Sequence, residues 1–285
     1  MRRDDRETYR RRMIGSALKK FREDLRLTQR AAGRLVDRSQ ASLSAYENGH
    51  RAIRPRDLKH ILDMYDITDE AVRERLLSIA AQGRQDGWWH DFEERLEPGV
   101  VDFASLEADA SAIRIYEPLR VHGLLQSEGY ARAVITSSGS GRGSPRDIDA
   151  EVSFRLRRQR LHERRPPDIS VILGETALRQ KIGGAPVMTG QLLKLLRLGA
   201  LQHISMQVVP FSVEAPPGGE GPFTILGVGP DGILEVVAID SLTRSWYVDE
   251  PADVAHHHQT FDRLQQLALS ETDSEKLIER ILSEL

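Results

Sequence analysis

Apolar residues recur three and four positions apart near the start of the chain, where Ile14, Ala17, Leu18, Phe21 and Leu25 would share one face of a helix over residues 2–26. That stripe predicts a core-facing helix. Thr28 can cap a second short helix running to residue 36, and Ser39 a third over residues 40–48, with Gly49 where helices commonly stop. Pro55 suits the first turn of a fourth helix whose Leu58, Ile61 and Leu62 face inward. Thr68, followed by Asp69 and Glu70, opens a fifth that ends near Gly83. Five short helices in succession predict one compact all-helical domain.

The pattern changes beyond residue 87. Helical spacing continues to about residue 110, followed by strand-like runs at 113–116, 169–173, 204–211, 223–228, 233–239 and 245–248, most of them bounded by Gly and Pro. Helices are expected at 127–135, 147–164, 191–198, 252–269 and 274–282. Consecutive strands late in the chain imply hairpins, so the second region reads as an α+β domain with a mainly antiparallel sheet. The polar, glycine-bounded stretch Gly83-Arg84-Gln85-Asp86-Gly87, followed at once by Trp88 and Trp89, marks the boundary. The expected organisation is therefore a head over 1–83, a linker over 84–87 and a body over 88–285. The Ser/Gly-rich residues 137–145 read as a loop.

A chain of 285 residues accommodates two such domains, and its 40% hydrophobic and 29% charged content excludes wholesale disorder. There is no cysteine, which excludes disulfides and thiolate metal sites and suits a reducing cytoplasm. No apolar run approaches the roughly 18 residues of a membrane span, so the expected location is cytoplasmic. The net charge of −3 conceals a division: residues 1–67 carry 17 Lys and Arg against 10 Asp and Glu, and the rest of the chain 23 against 33. A basic head precedes an acidic body. Such a head is suited to a polyanion.

Residues 28–49, TQRAAGRLVDRSQASLSAYENG, carry the most specific signal. Two helices crossing steeply need a small residue at the crossing, a residue tolerant of a left-handed turn between them, and apolar positions on the second helix. Gly33, Asp37, and Leu43 with Tyr46 supply these in order. The segment resembles the Xre-type, phage-repressor-like family of helix-turn-helix domains through Thr28-Gln29, Ser39 and Glu47-Asn48-Gly49. The resemblance implies a lambda-repressor-like fold for the head and contact with double-stranded operator DNA. Gln29 would bond a phosphate, and Ser39 would start the recognition helix. Gln40, Ala41 and Ser42 would approach base edges in the major groove, while Asn48 and Arg51 would hold the backbone. An amide suits adenine and an alanine methyl suits thymine, in keeping with those roles. Ala32, Asp37 and Ala45 depart from the family's usual residues, which makes base contacts sparse and shifts weight to DNA shape. The arginines Arg2, Arg3, Arg6, Arg10, Arg11 and Arg12 read either as an arm on phosphates or as a solvated helix face.

Enzyme-like signals in the body fail on context. Gly227-Val228-Gly229-Pro230-Asp231-Gly232 fits a dinucleotide fingerprint, but that fold needs a helix next and the sequence predicts a strand. His256, His257 and His258 are adjacent, so on a helix they point about 100° apart and cannot converge on one ion. Glu175 reads as a helix cap near Thr176 or as the partner of an arginine, with no nucleophile beside it. No catalytic, cofactor or metal site is expected, and the chain does not read as an enzyme. The run Arg155, Arg157, Arg158, Arg160, Arg164 and Arg165 is ordinarily a solvated face, and otherwise a contact surface for DNA or an acidic partner.

Val121-His122-Gly123-Leu124-Leu125-Gln126-Ser127 with Tyr130-Ala131-Arg132-Ala133 resembles the signature of an uncharacterised domain that commonly follows Xre-type heads in actinobacterial regulators. Its motif reads mostly as packing, with Leu124 and Leu125 in the core, Ser127 an N-cap, and Tyr130 and Val134 on a buried helix face. The resemblance implies an antitoxin-like regulator encoded beside a small partner protein. The expected function is a sequence-specific transcriptional regulator, a homodimer whose body dimerises and senses a partner or effector. The alternative is an antitoxin-like binder of a small protein that uses DNA only for autoregulation.

Overall fold

The structure, a computed structural model, describes residues 9–82, 88–92, 95–96, 98–138, 145–162, 166–228, 234–240 and 245–285. Arg2, Arg3 and Arg6, the 84–87 linker, residues 139–144 of the Ser/Gly loop, Gly229 to Gly232, and Arg164 with Arg165 lie outside the described residues. Contacts divide the chain into two compact units, Met1–Asp91 with Glu97–Ser105, and Phe92–Leu96 with Leu106–Leu285.

The first unit contains α1 (Tyr9–Asp24), α2 (Gln29–Leu35), α3 (Gln40–Glu47), α4 (Pro55–Met64) and α5 (Glu70–Gln82). Caps determine where these begin. Thr28 accepts from the Ala31 amide at 3.2 Å and Ser39 from the Ser42 amide at 3.1 Å. At α5 the cap is Asp69, which accepts from the Val72 amide at 3.1 Å, and not Thr68. Left-handed residues follow the ends of α1, α2 and α4, namely Arg26, Asp37 and Asp66. Leu18, Val36, Leu43, Leu58, Ile61 and Leu62 form a core that excludes solvent. Leu25 is the exception to the expected stripe. It is 43% exposed, because α1 ends at Asp24, and Tyr9 and Met13 extend the buried face at the other end.

α6 (Pro98–Ala108) crosses the division between the units. The second unit continues with β1 (Ala110–Glu117), α7 (Glu128–Ser138), α8 (Pro145–Arg158), β2 (Asp168–Gly174), α9 (Glu175–Arg179), α10 (Ala185–Gly199), β3 (Ile204–Val209), β4 (Phe223–Val228), β5 (Leu234–Asp240), β6 (Ser245–Val248), α11 (Pro251–Leu267) and α12 (Glu271–Ser283). The strands of the described residues form one sheet in the order β3-β2-β1-β4-β5-β6. β1 to β3 pair in parallel, because helices between them return the chain to the same end, whereas β4, β5 and β6 pair antiparallel with their neighbours. The sheet is thus mixed, with antiparallel pairings in the majority. β4 is buried at every position, Thr224 included, which accounts for its mostly apolar sequence. On one face Tyr116, Ile172, Phe223 and Val237 pack under Val254, Phe261 and Leu264 of α11.

Residues 121–127 form a loop whose polar backbone is paired by side chains. The Val121 amide donates to the Tyr130 hydroxyl at 3.1 Å, and Gln126 Nε2 donates to the Val121 carbonyl at 2.7 Å. Buried Gln191 donates to the Leu125 carbonyl at 2.9 Å and accepts from the Ser127 amide at 2.7 Å. Gln159 donates to the Gly123 carbonyl at 2.8 Å. Leu124, Leu125 and Tyr130 are fully buried, and the Ser127 hydroxyl accepts from the Tyr130 amide at 3.3 Å. The motif is a brace for the fold.

Candidate nucleic-acid interface

Three local constraints set the angle between α2 and α3. A Cβ on Gly33 would lie 2.7 Å from the Arg38 carbonyl oxygen, so only glycine permits this approach. Asp37 takes φ of 53°, the left-handed turn, and the Arg38 amide then reaches the Gly33 carbonyl at 2.8 Å. Leu43 and Tyr46 hold the inner face of α3 in the core. The other face is left outward.

At the start of that face Gln40 and Ala41 are exposed. Ser39 and Ser42 are engaged with each other, their hydroxyls 2.9 Å apart, so the cap is fixed before any ligand arrives. Gln29, at the start of α2, donates through Nε2 to Glu47 Oε2 at 2.8 Å. An amide nitrogen carries two hydrogens, so one remains for a phosphate. Asn48 Nδ2 turns back onto Ser44, meeting its carbonyl at 2.9 Å and its hydroxyl at 3.2 Å, and a phosphate would have to displace these bonds. Arg51 is exposed, with its guanidinium 5.9 Å from the centre of the Tyr46 ring. The expected residues thus gather in two groups, Ser39 to Ser42 at the start of α3, and Asn48 and Arg51 at its end with Gln29 tied beside them through Glu47.

Sequence reasoning missed the residues that hold this face. Glu47 is buried and binds Arg22 of α1 at 2.7 Å and 3.0 Å. Its hydrogen bonds and attraction keep the Arg22 guanidinium above its usual pKa. Gly15 lets α1 meet the end of α3, where a Cβ would lie 2.5 Å from the carbonyl oxygens of both Tyr46 and Glu47. Internal pairing also consumes acids of the head: Glu47 with Arg22, Asp57 with Arg38 at 3.1 Å, and Asp63 with Arg73. Arg30, Arg34 and Arg54 stay exposed.

Residues 14–76 match the family described as "Helix-turn-helix domain". The head is a helix-turn-helix DNA-binding domain. Residues 100–280, more than half of the chain, match "Domain of unknown function (DUF5753)". The chain belongs to the DUF5753 family. No curated protein and no solved structure matches it.

Within the DUF5753 domain the arginine-rich helix departs from the expected solvated face. Arg158 turns inward and holds the buried Glu107 through Nε at 2.7 Å and NH2 at 2.6 Å, and burial raises the Glu107 carboxyl against that attraction. Arg155 donates to Gln126 at 2.8 Å, and burial, with Arg158 nearby, pulls its guanidinium down to about 10. Arg157 lies over Phe92 at 5.9 Å. Only a partner distant in sequence distinguishes such arginines from solvated ones. His122 is buried beside Arg158 and Arg155, and burial lowers it to about 3.

Glu175 accepts from Arg179 Nε at 2.6 Å and from the Phe211 amide at 2.8 Å, the ion pair of the two structural alternatives. The three histidines do not converge on one point, although the His256 and His257 rings meet edge-on at 6.3 Å. His258 meets Glu235 at 2.8 Å, His257 packs edge-on to Phe223, and His256 is exposed. Leu234, just past the glycine-rich residues, opens β5 opposite Val228 of β4, so a strand follows where a dinucleotide fingerprint needs a helix. Among the described residues no helix is long and apolar enough to cross a membrane.

Proposed function

We propose that this DUF5753 protein is a sequence-specific transcriptional regulator with an Xre-type head, and that its acidic body serves dimerisation and the sensing of a partner or effector. The observation that carries the reading is the exposed start of α3, where Gln40 and Ala41 project from a helix held rigidly from behind. A dimer would place two such helices one DNA turn apart, about 34 Å. Binding in place of catalysis is supported by Glu175, the most enzyme-like acid of the body, which is spent on Arg179 and the Phe211 amide.

A gel-shift titration with DNA from upstream of the gene tests the reading. One duplex is expected to outcompete unrelated ones and to show a symmetric footprint. Gln40→Ala should weaken that duplex selectively, by about 1–3 kcal/mol, whereas Arg51→Ala should weaken all duplexes and reduce the salt slope by about one. Equal affinity for every competitor would sink specific regulation.

A further inference from the structure

The DUF5753 body contains a cavity of about 260 Å³ between α10, β3 and α12. Its floor is apolar, formed by Leu195, Met206 and Ile278, each buried in the fold. Its walls are negative from two separate sources. Glu271 and Glu275, one turn apart on α12, line one side. The C-terminal turn of α10, through Leu196, Gly199 and Ala200, lines the other. The last carbonyls of a helix lack intrahelical donors and together carry roughly half a negative charge.

No lysine or arginine is among the lining residues. Arg197, the basic residue in the last turn of α10, is exposed and donates to the Leu193 carbonyl at 3.2 Å; Lys276 is paired with Asp273 at 2.9 Å. Glu271 suits the start of α12, where the helix dipole favours an acid, and it accepts from the Ser205 hydroxyl at 2.7 Å. Glu275 lies beyond the first turn and is exposed, so the dipole does not account for it.

An apolar floor under negative walls selects one ligand class. An anion is repelled, and a neutral apolar solute gains the floor alone. We propose that this cavity binds a small organic cation, an ammonium or guanidinium group on a short alkyl chain. The chain lies on Leu195, Met206 and Ile278, and the head sits between Glu275 and the carbonyls that end α10. At roughly 30 Å³ for each water-sized group, the volume holds about eight or nine such groups, room for a chain of about five carbons with its head and a few waters. The site belongs to the body and stands independently of DNA binding by the head.

Calorimetric titration of the full chain with pentylammonium, pentanol and pentanoate tests this. Pentylammonium is expected to bind about tenfold more tightly than pentanol, with no heat from pentanoate. Glu275→Gln, at an exposed position, should reduce that preference several-fold and leave pentanol unchanged. Gly199→Phe adds its side chain where a Cβ meets nothing within 4 Å, and should plug the cavity and abolish binding. Pentylammonium binding no tighter than pentanol would overturn the proposal, as would binding that survives Gly199→Phe in a protein of unchanged melting temperature. If Gly199→Phe does not fold, Glu275→Gln decides alone, and an unchanged preference refutes the site.

Discussion

Arg22 of α1 and Glu47 at the end of α3 meet through two hydrogen bonds, Nε to Oε1 at 2.7 Å and NH2 to Oε2 at 3.0 Å, with side chains 9% and 1% exposed. The same carboxylate accepts from Gln29, so one buried charge ties together α1, the start of α2 and the end of α3. Removing one member of a buried pair leaves the other uncompensated, at a cost of about 3–5 kcal/mol. Arg22→Met is expected to lower head stability by that amount in urea unfolding, and Gln29→Ala by far less. Equal effects would show that the pair is not the fastener.

Gly15 tests the same junction sterically. A methyl group there meets two backbone carbonyls at 2.5 Å, and backbone cannot rotate away as a side chain can. Gly15→Ala should cost about 1–3 kcal/mol and weaken all DNA alike, because α3 shifts as a unit. Thermal melts and competition binding read the two effects. A stable variant with full affinity would contradict the close packing.

The Arg158–Glu107 pair separates a structural arginine from one that meets DNA. Arg158→Met alone is expected to destabilise the body by about 3–5 kcal/mol, whereas Arg158→Met with Glu107→Leu should recover most of the loss, since an apolar pair needs no desolvation. The salt dependence of DNA binding should stay unchanged in the double variant. A reduced salt slope would return this residue to the DNA surface.

His122 predicts acid sensitivity of the body. Its folded pKa is about 3 against an ordinary 6.5, so between these values the unfolded chain binds a proton that the folded one does not. The stability it contributes is complete above pH 6.5 and is lost as pH falls toward 3. His122→Asn, which keeps an acceptor for the Leu124 amide, should flatten that slope in denaturant melts taken across the range. Glu117 acts with the opposite sign. Burial raises it to about 8, so its contribution is complete below pH 4.5 and lost as pH rises through 8, a slope that Glu117→Gln should remove. If neither substitution alters its slope, burial does not control these groups.

Local structure was legible because it rests on neighbours in the chain. Ser39 caps α3 through an amide three residues away, Asp37 makes its left-handed turn by its own backbone, and β4 announces its burial by a mostly apolar sequence. The turn between α2 and α3, and so the face offered to DNA, follows from such short-range chemistry. Leu25 fits the periodic stripe yet is exposed, because periodicity does not reveal where a helix stops.

What the tertiary structure alone decided depends on partners far apart in sequence. A buried arginine and a solvated one look alike in a run of charge until Glu107, 51 residues away, closes on Arg158. Gly15 is one more small residue on a helix until the carbonyls of Tyr46 and Glu47 arrive against it. The order of the strands, and with it the parallel part of the sheet, is set by pairings between residues far apart in the chain, such as Tyr116 with Ile172 and with Phe223. The sequence by itself determined a helix-turn-helix head ahead of an α+β body. Folding decided which of its charges face water, because desolvation is a property of the packed neighbourhood and not of the residue.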